Sequence, residues 1–380
     1  MNKFIPLSVP NLSGNEKKYV SEIIDTEWVS TGGAKITAFE NDIAKYVKSP
    51  YAVAVQSGTA GLHLAGITLG VSPNDEIIVP TLTFIAAVNP VKYCGAEPVF
   101  MDCDDSLCLD PVKLEKFFKE ECLFIKGILI NKKTKRTIKA IIAVHIFGNL
   151  CDMSKIMEIA LSYNLSVIED ATEALGSYYT SGDLKGKHAG TIGHIGVFSF
   201  NGNKIITTGG GGMIVTNDEK IAKHCRYLST QSKDDEFYFV HNEIGYNYRM
   251  TNLQAALGVA QLEQIEKFIE TKKTNYESYK KMGLNLLPFR KDIRPNYWFY
   301  CYMSEKKEHM LKSLTGDSIQ ARPIWKLCHT QKPYQECQAY DIQVAQYYYD
   351  KVVNIPCSSN LKPEDVEIVG RRVLTYEKNS

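Results

Sequence analysis

Residues 139–170 read KAIIAVHIFGNLCDMSKIMEIALSYNLSVIED. Segments 139–145 and 165–169 are short runs rich in Ile and Val, apolar on successive residues, as strands covered on both faces must be. Between them Asp152 stands as an N-cap. Met153, Ile156, Met157, Ala160 and Leu161 then recur at i, i+3, i+4, i+7 and i+8, one face of a helix. Strand, helix and strand in this order make a βαβ unit, which sets a parallel sheet with helices on its faces.

The same rhythm extends in both directions. Segments 51–56, 76–79, 97–102, 196–200 and 212–216 repeat the strand pattern. Asp110-Pro111 and Asp218 open helices with apolar residues on one face. Residues 119–139 break the rhythm and predict an inserted hairpin, two short strands around a basic Asn-Lys-Lys-Thr-Lys turn. Thr251 and Gln254 have capping-box spacing, and the helix they open is expected to run to about 280. The expected fold class is α/β: a large domain with a mixed, mostly parallel sheet over 1–265, and a smaller α+β domain over 266–380.

Composition narrows the function classes. The 380 residues are 44% hydrophobic and 23% charged, which excludes a disordered chain. Net charge is +1, which gives no support for nucleic-acid or membrane-surface binding. No apolar run approaches the ~20 residues of a membrane span, and residues 1–18 lack a signal-peptide core. A cytoplasmic location is expected. The ten cysteines contain no C-x-x-C and predict free thiols rather than a metal or disulfide framework.

Three constellations carry chemistry. Gln56-Ser57-Gly58-Thr59-Ala60-Gly61 follows a strand and opens a helix, where free N–H groups and hydroxyls suit a phosphate. Taken alone, these residues read more readily as a ligand-free Ser/Gly cap. Ile168-Glu169-Asp170-Ala171-Thr172-Glu173 puts acids at a strand's carboxyl end, where open α/β sheets bind ligands; a plain N-cap is the alternative for Asp170. Lys204 sits in a polar connection after Phe198-Ser199-Phe200, followed by Gly209–Gly212; a surface lysine is the default reading, and its place downstream of the other two constellations is what raises it. An amine, an acid and an anion cradle are what a pyridoxal-phosphate site requires.

The segments SGTAGLHLA, DEIIVPTLTFIAAVNPVKYCGAEPVFMDCD, AVHIFGNLCDM, VIEDATEALGS, HAGTIGHIGVFSFNGNKIITTGGGGMIVTND and GYNYRMTNLQAALGVAQLE, spread from Ser57 to about Gln264, resemble the DegT/StrS family. These are fold-type I, pyridoxal-phosphate-dependent nucleotide-sugar aminotransferases. NGNKIITTGGGGM and ARPIWKLCHTQKPY are similar to the bacillosamine- and legionaminic-acid-pathway members.

The resemblance implies roles residue by residue. Lys204 is the Schiff-base lysine and the acid/base, and Asp170 pairs with the pyridinium nitrogen. Glu173 falls near the ring hydroxyl, where many members have Gln. Ser57, Gly58, Thr59, Ala60 and Ser199 face the phosphate. Phe84 stacks on the ring, with core packing its alternative. Asn247 reaches the cofactor of a second subunit, so a homodimer with shared sites is expected. Thr31, His145, Arg322, Trp325 and His329 are candidates for the substrate side, and a structural role is open for each. The implied reaction moves an amino group from glutamate to C4 of a nucleotide-linked 4-keto-6-deoxy-N-acetylhexosamine, UDP ahead of GDP, without a metal. C3 amination is the rival chemistry, and a silent binding protein of the same fold is the rival class.

Overall fold

The computed structural model describes residues 3–378. Its main sheet contains β1 (Tyr51–Val55), β2 (Asp75–Pro80), β3 (Glu97–Met101), β4 (Cys122–Ile125), β5 (Ile128–Asn131), β6 (Thr137–Val144), β7 (Ser166–Asp170), β8 (Ile195–Ser199), β9 (Gly212–Thr216) and β10 (Ala339–Tyr340). The spatial order is β1-β9-β8-β7-β6-β2-β3-β10. Pairing from β8 through β10 is parallel, while β9 runs antiparallel to both neighbours. The fold is therefore α/β with a mixed, mostly parallel sheet. Its central strands are buried on both faces, as their unbroken apolar runs require.

Directions matter more than strand count. β1 and β8 both pair antiparallel to β9, and β8 is parallel to β7. The carboxyl ends of β1, β7 and β8 thus meet at one edge, bringing Ser57, Asp170 and Ser199 together although 142 positions separate the outer two. The helices between them start on local chemistry. Asp110, Asp152 and Asp218 each accept backbone N–H groups of the following turn. Thr251 and Gln254 form the complete capping box.

Two expectations are corrected. The helix opened by Thr251 is not continuous: Asn252–Leu262 ends, and Ile265–Lys281 starts anew. Gln264 leaves helical geometry (φ −113°, ψ 0°), and the side chains of Gln261 and Gln264 both donate to Glu16 of the N-terminal helix Glu16–Asp25. The insertion is laid out differently from the expected hairpin. β4 and β5 turn at Lys126-Gly127, and the basic turn joins β5 to β6 rather than closing an isolated pair.

Residues 266–380 supply a three-stranded sheet of Tyr300–Met303, Val352–Ile355 and Arg322–Pro323, with helices Lys307–Gly316 and Pro363–Lys378. They also lend β10 to the main sheet. The N-terminal segment crosses back to this unit: Ile5 bridges Ile319, and Leu7 accepts the Cys357 N–H at 2.8 Å. Eight of the ten cysteines are buried and all are free thiols, filling the core as small apolar groups. Among the described residues no helix is long and apolar enough to cross a membrane.

Candidate active site

Ser57 caps helix Gly58–Thr68, its Oγ accepting the Ala60 N–H at 3.0 Å. The first helical N–H groups, of Gly58 and Thr59, have no acceptor within the helix and belong to residues lining a cavity. A Cβ on Gly58 would stand 2.9 Å from Thr172 Cγ2 and 3.0 Å from Ser199 Cβ. Three sheet connections converge there, and a residue without a side chain is what lets them close.

Asp170 ends β7 with 3% exposure, and its Oδ1 accepts the Thr172 N–H at 3.1 Å. Burial raises its carboxyl above the ordinary range, against the Thr172 bonds and the pull of Lys204. Glu173 is buried one turn on, and its Oε2 accepts the Phe147 N–H at 2.8 Å. Burial pushes this carboxyl up to about 8, against Lys204. The same burial lowers the Lys204 ammonium, against Glu173 and Asp170. Lys204 Nζ lies 4.0 Å from the centroid of the Trp298 ring. Burial thus favours the neutral form of both acids and of the amine, all three of which line one cavity.

These groups open onto one cavity of about 650 Å³. Of the residues singled out from sequence, Ser57, Gly58, Thr59, Asp170, Glu173, Ser199 and Lys204 line its floor. Phe84, Arg322 and Trp325 line its mouth, with Phe84 52% exposed and its ring centroid 6.2 Å from that of Trp325. Leu7, Phe147, Trp298, Lys326 and Asn354 also line it and were not singled out. They arrive from segments far along the chain, and no local pattern marks them. ARPIWK did hold one signal for Lys326, a second cation four residues after Arg322.

Five expected site residues do not line this cavity. Ala60 is buried behind the turn, its N–H taken by Ser57. His145 is fully buried; its Nδ1 accepts the Cys151 N–H at 3.1 Å, so the proton sits on Nε2, which donates to Glu169 at 2.9 Å. Glu169 also accepts the N–H groups of Gly190 and Ile192 at 2.9 and 2.6 Å. His145 thus belongs to a buried network behind the sheet edge. His329 Nδ1 lies 2.6 Å from Thr81 Oγ1 and pins the turn Cys328–Thr330 to the end of β2. Thr31 is exposed between helices Glu16–Asp25 and Ala34–Val47, in a turn tied to helix Asn252–Leu262 through Asn252. Asn247 is exposed and forms an isolated antiparallel bridge with Thr230.

The sequence profile of the DegT/DnrJ/EryC1/StrS aminotransferase family matches residues 10–374. The chain belongs to this family. The aminotransferase is 40% identical over 370 residues to a protein of Escherichia coli O157:H7 named GDP-perosamine synthase, covering 96% of each. It is 37% identical over 377 residues to a protein of that name from Caulobacter vibrioides, again covering 96% of each. Among solved structures, Helicobacter pylori PseC, an aminotransferase involved in the biosynthesis of pseudoaminic acid, matches with a TM-score of 0.89. The identity is 25%, and all of both chains is covered.

The family's cofactor is pyridoxal 5′-phosphate, and the donor set fits it. The crowded Gly58 turn offers free N–H groups and the Ser57, Thr59 and Ser199 hydroxyls to a phosphate. Asp170 offers a buried carboxylate to a cationic ring nitrogen, and Lys204 an amine with no ion pair among the described residues.

Proposed function

We propose that this aminotransferase transfers an amino group from glutamate to C4 of a GDP-linked 4-keto-6-deoxyhexose. The observation that carries the nucleotide and the position is the pair of relatives at 40% and 37% identity named for GDP-perosamine, a GDP-linked 4-amino sugar. This reverses the order expected from sequence, in which UDP stood ahead of GDP.

The cavity geometry supports the division of labour. Pyridoxal phosphate, when bound, supplies a carbonyl that exchanges for an amine and a ring that withdraws electrons. Lys204 Nζ takes a proton from the α-carbon of glutamate in the first half and delivers one to sugar C4 in the second. Asp170 holds a proton at the ring nitrogen. Arg322 and Lys326 bring positive charge to the cavity wall, where a diphosphate needs it. Phe84 and Trp325 close the mouth with apolar surface that excludes water.

Product NMR with glutamate and either GDP-linked 4-keto-6-deoxyhexose or UDP-linked 4-keto-6-deoxy-N-acetylglucosamine tests the reading. The GDP substrate is expected to be used with kcat/KM about a hundredfold higher, the scale of one buried polar group left unsatisfied at ~1–3 kcal/mol. The opposite order, or an amine at C3, refutes it.

Assembly as a homodimer is part of the same proposal. Asn247 follows a stretch with exposed apolar side chains, Phe237, Phe239 and Ile244 being 81%, 70% and 82% exposed. Patches of this kind mark interaction surfaces. With Asn247 serving the second subunit's phosphate, Asn247→Ala weakens cofactor retention about ten- to a hundredfold, the value of one charge-assisted hydrogen bond. Mixed with Lys204→Ala it restores activity, because one site of the mixed dimer carries neither lesion. No rescue under demonstrated subunit exchange refutes the shared site.

A further inference from the structure

Local restraints on the lysine's turn are few. The Lys204 N–H donates to the Asn201 carbonyl at 3.0 Å, and Gly202 has open space beside it. Beyond a long bond from Ser8 Oγ to the Asn203 carbonyl at 3.4 Å, the restraint comes from a residue 94 positions away. Trp298 Nε1–H donates to the Asn203 carbonyl at 2.6 Å, while the face of the same indole lies 4.0 Å from Lys204 Nζ. One side chain therefore holds the backbone before the lysine with its edge and the amine with its face.

Trp298 is itself fixed to the acids. Its N–H donates to Asn296 Oδ1 at 2.9 Å. Asn296 is fully buried, and its Nδ2 donates to the carbonyls of Glu173 at 2.9 Å and Leu175 at 3.0 Å. Its N–H donates to Ser177 Oγ at 2.9 Å. Tyr297 between them sits at φ 56°, a left-handed conformation that a tyrosine holds only where its neighbours impose it. Gly148 makes the room, since a Cβ there would stand 2.0 Å from Asn296 Oδ1. Segment 296–298 thus ties the turn carrying Glu173 to the turn carrying Lys204.

We propose that Trp298 is a positioning residue for Lys204, holding the free amine in place at the cavity wall between proton transfers. A general base must stand within about 2.6–3.2 Å of the proton it moves, and a turn with few restraints of its own does not hold an amine to that tolerance unaided. The indole face also favours the ammonium form, opposing the burial that disfavours it. The proposal rests on Lys204 as the reacting amine and not on which sugar is accepted.

The test uses Trp298→Leu, which removes face and edge, and Trp298→Phe, which keeps a face and removes the N–H. In cofactor-free protein, the pH dependence of Lys204 acetylation by acetic anhydride, followed by peptide mass spectrometry, reads the amine directly. The other charged groups on the cavity wall, Asp170 and Glu173 from the β7 end and Arg322 and Lys326 from the small unit, stay in place in both variants. Trp298→Leu is expected to lower the labelling midpoint by about one pH unit, and Trp298→Phe to leave it near wild type. In holoenzyme, the single-turnover rate with glutamate falls at least tenfold in Trp298→Leu, with the half-saturating glutamate concentration changed less than threefold. In Trp298→Phe that rate falls by a smaller factor. A wild-type midpoint or a wild-type rate in Trp298→Leu overturns the proposal. So does a midpoint in Trp298→Phe as low as in Trp298→Leu, which would trace the effect to repacking.

Discussion

Lys204→Ala is expected to lower turnover by at least about a thousandfold while the protein remains folded. Proton transfer by a positioned side chain contributes typically ~10²–10⁴ in rate, and this side chain also supplies the amine that anchors the cofactor. The substitution removes a half-buried lysine that has no ion pair among the described residues, so it breaks no internal salt bridge. It also relieves two buried carboxyls of their partner. Asp170 and Glu173, already raised by burial, rise further once the lysine's opposing charge is gone. The variant should therefore show an unchanged circular-dichroism spectrum and a thermal midpoint within a few degrees of wild type. Noncovalent cofactor binding should persist, because the Gly58 turn and Ser199 are untouched. Single-turnover absorbance changes with glutamate read the chemistry without dependence on the sugar. A Lys204→Ala protein that completes the glutamate half at the wild-type rate would remove Lys204 from the mechanism, and the proposed function with it.

What the sequence disclosed and what it withheld divide by contact range. The βαβ unit of residues 139–170, the three aspartate caps and the Thr251–Gln254 box are short-range facts, written in periodicity and in side chains that bond within a turn of themselves. Placing Ser57, Asp170, Ser199 and Lys204 at one edge needed only strand direction, because parallel strands bring their carboxyl ends together. Residues that act by reaching across the molecule left no such trace. Trp298 sits in NYWFYCYM, which reads as an ordinary buried strand, and its bond to Asn203 spans 95 positions. Leu7 enters the cavity because the N-terminal segment is hydrogen-bonded to residues 318–320 and to Ser358. The break at Gln264 was invisible for the same reason: the sequence keeps its helical period there, and the bend comes with Glu16, nearly 250 residues upstream. The histidines' partners lie outside their own turns too: His145 holds the Cys151 N–H and the Glu169 carboxylate, and His329 Nδ1 holds Thr81. Thr31 and Asn247 lie on exposed surface, where a single chain supplies no partner that could fix their role.

Asp170→Asn is expected to cost between about a hundredfold and several thousandfold in the glutamate half-reaction. Size and cap are preserved, since asparagine accepts the Thr172 N–H as well as aspartate does. The negative charge is lost. A charge that pairs with a buried partner is worth ~3–5 kcal/mol when that partner is left alone, which converts to the quoted range. Stability moves the other way. Because burial raises the folded-state pKa of Asp170, its ionised form disfavours the cofactor-free fold, and that cost is absent at pH values below its unfolded pKa. At pH 7 to 8 the cofactor-free Asp170→Asn protein should therefore melt no lower than wild type, and its advantage should vanish as the pH falls toward 4. A structural aspartate would give the reverse pattern, a lowered melting temperature with the rate little changed. Asp170→Ala separates the remaining contribution. It loses the bond to Thr172 as well and should fall below Asp170→Asn in stability by ~1 kcal/mol, with a comparable rate. If Asp170→Asn turns over near the wild-type rate, the carboxylate is only a cap, and some other group must hold the proton at the ring nitrogen.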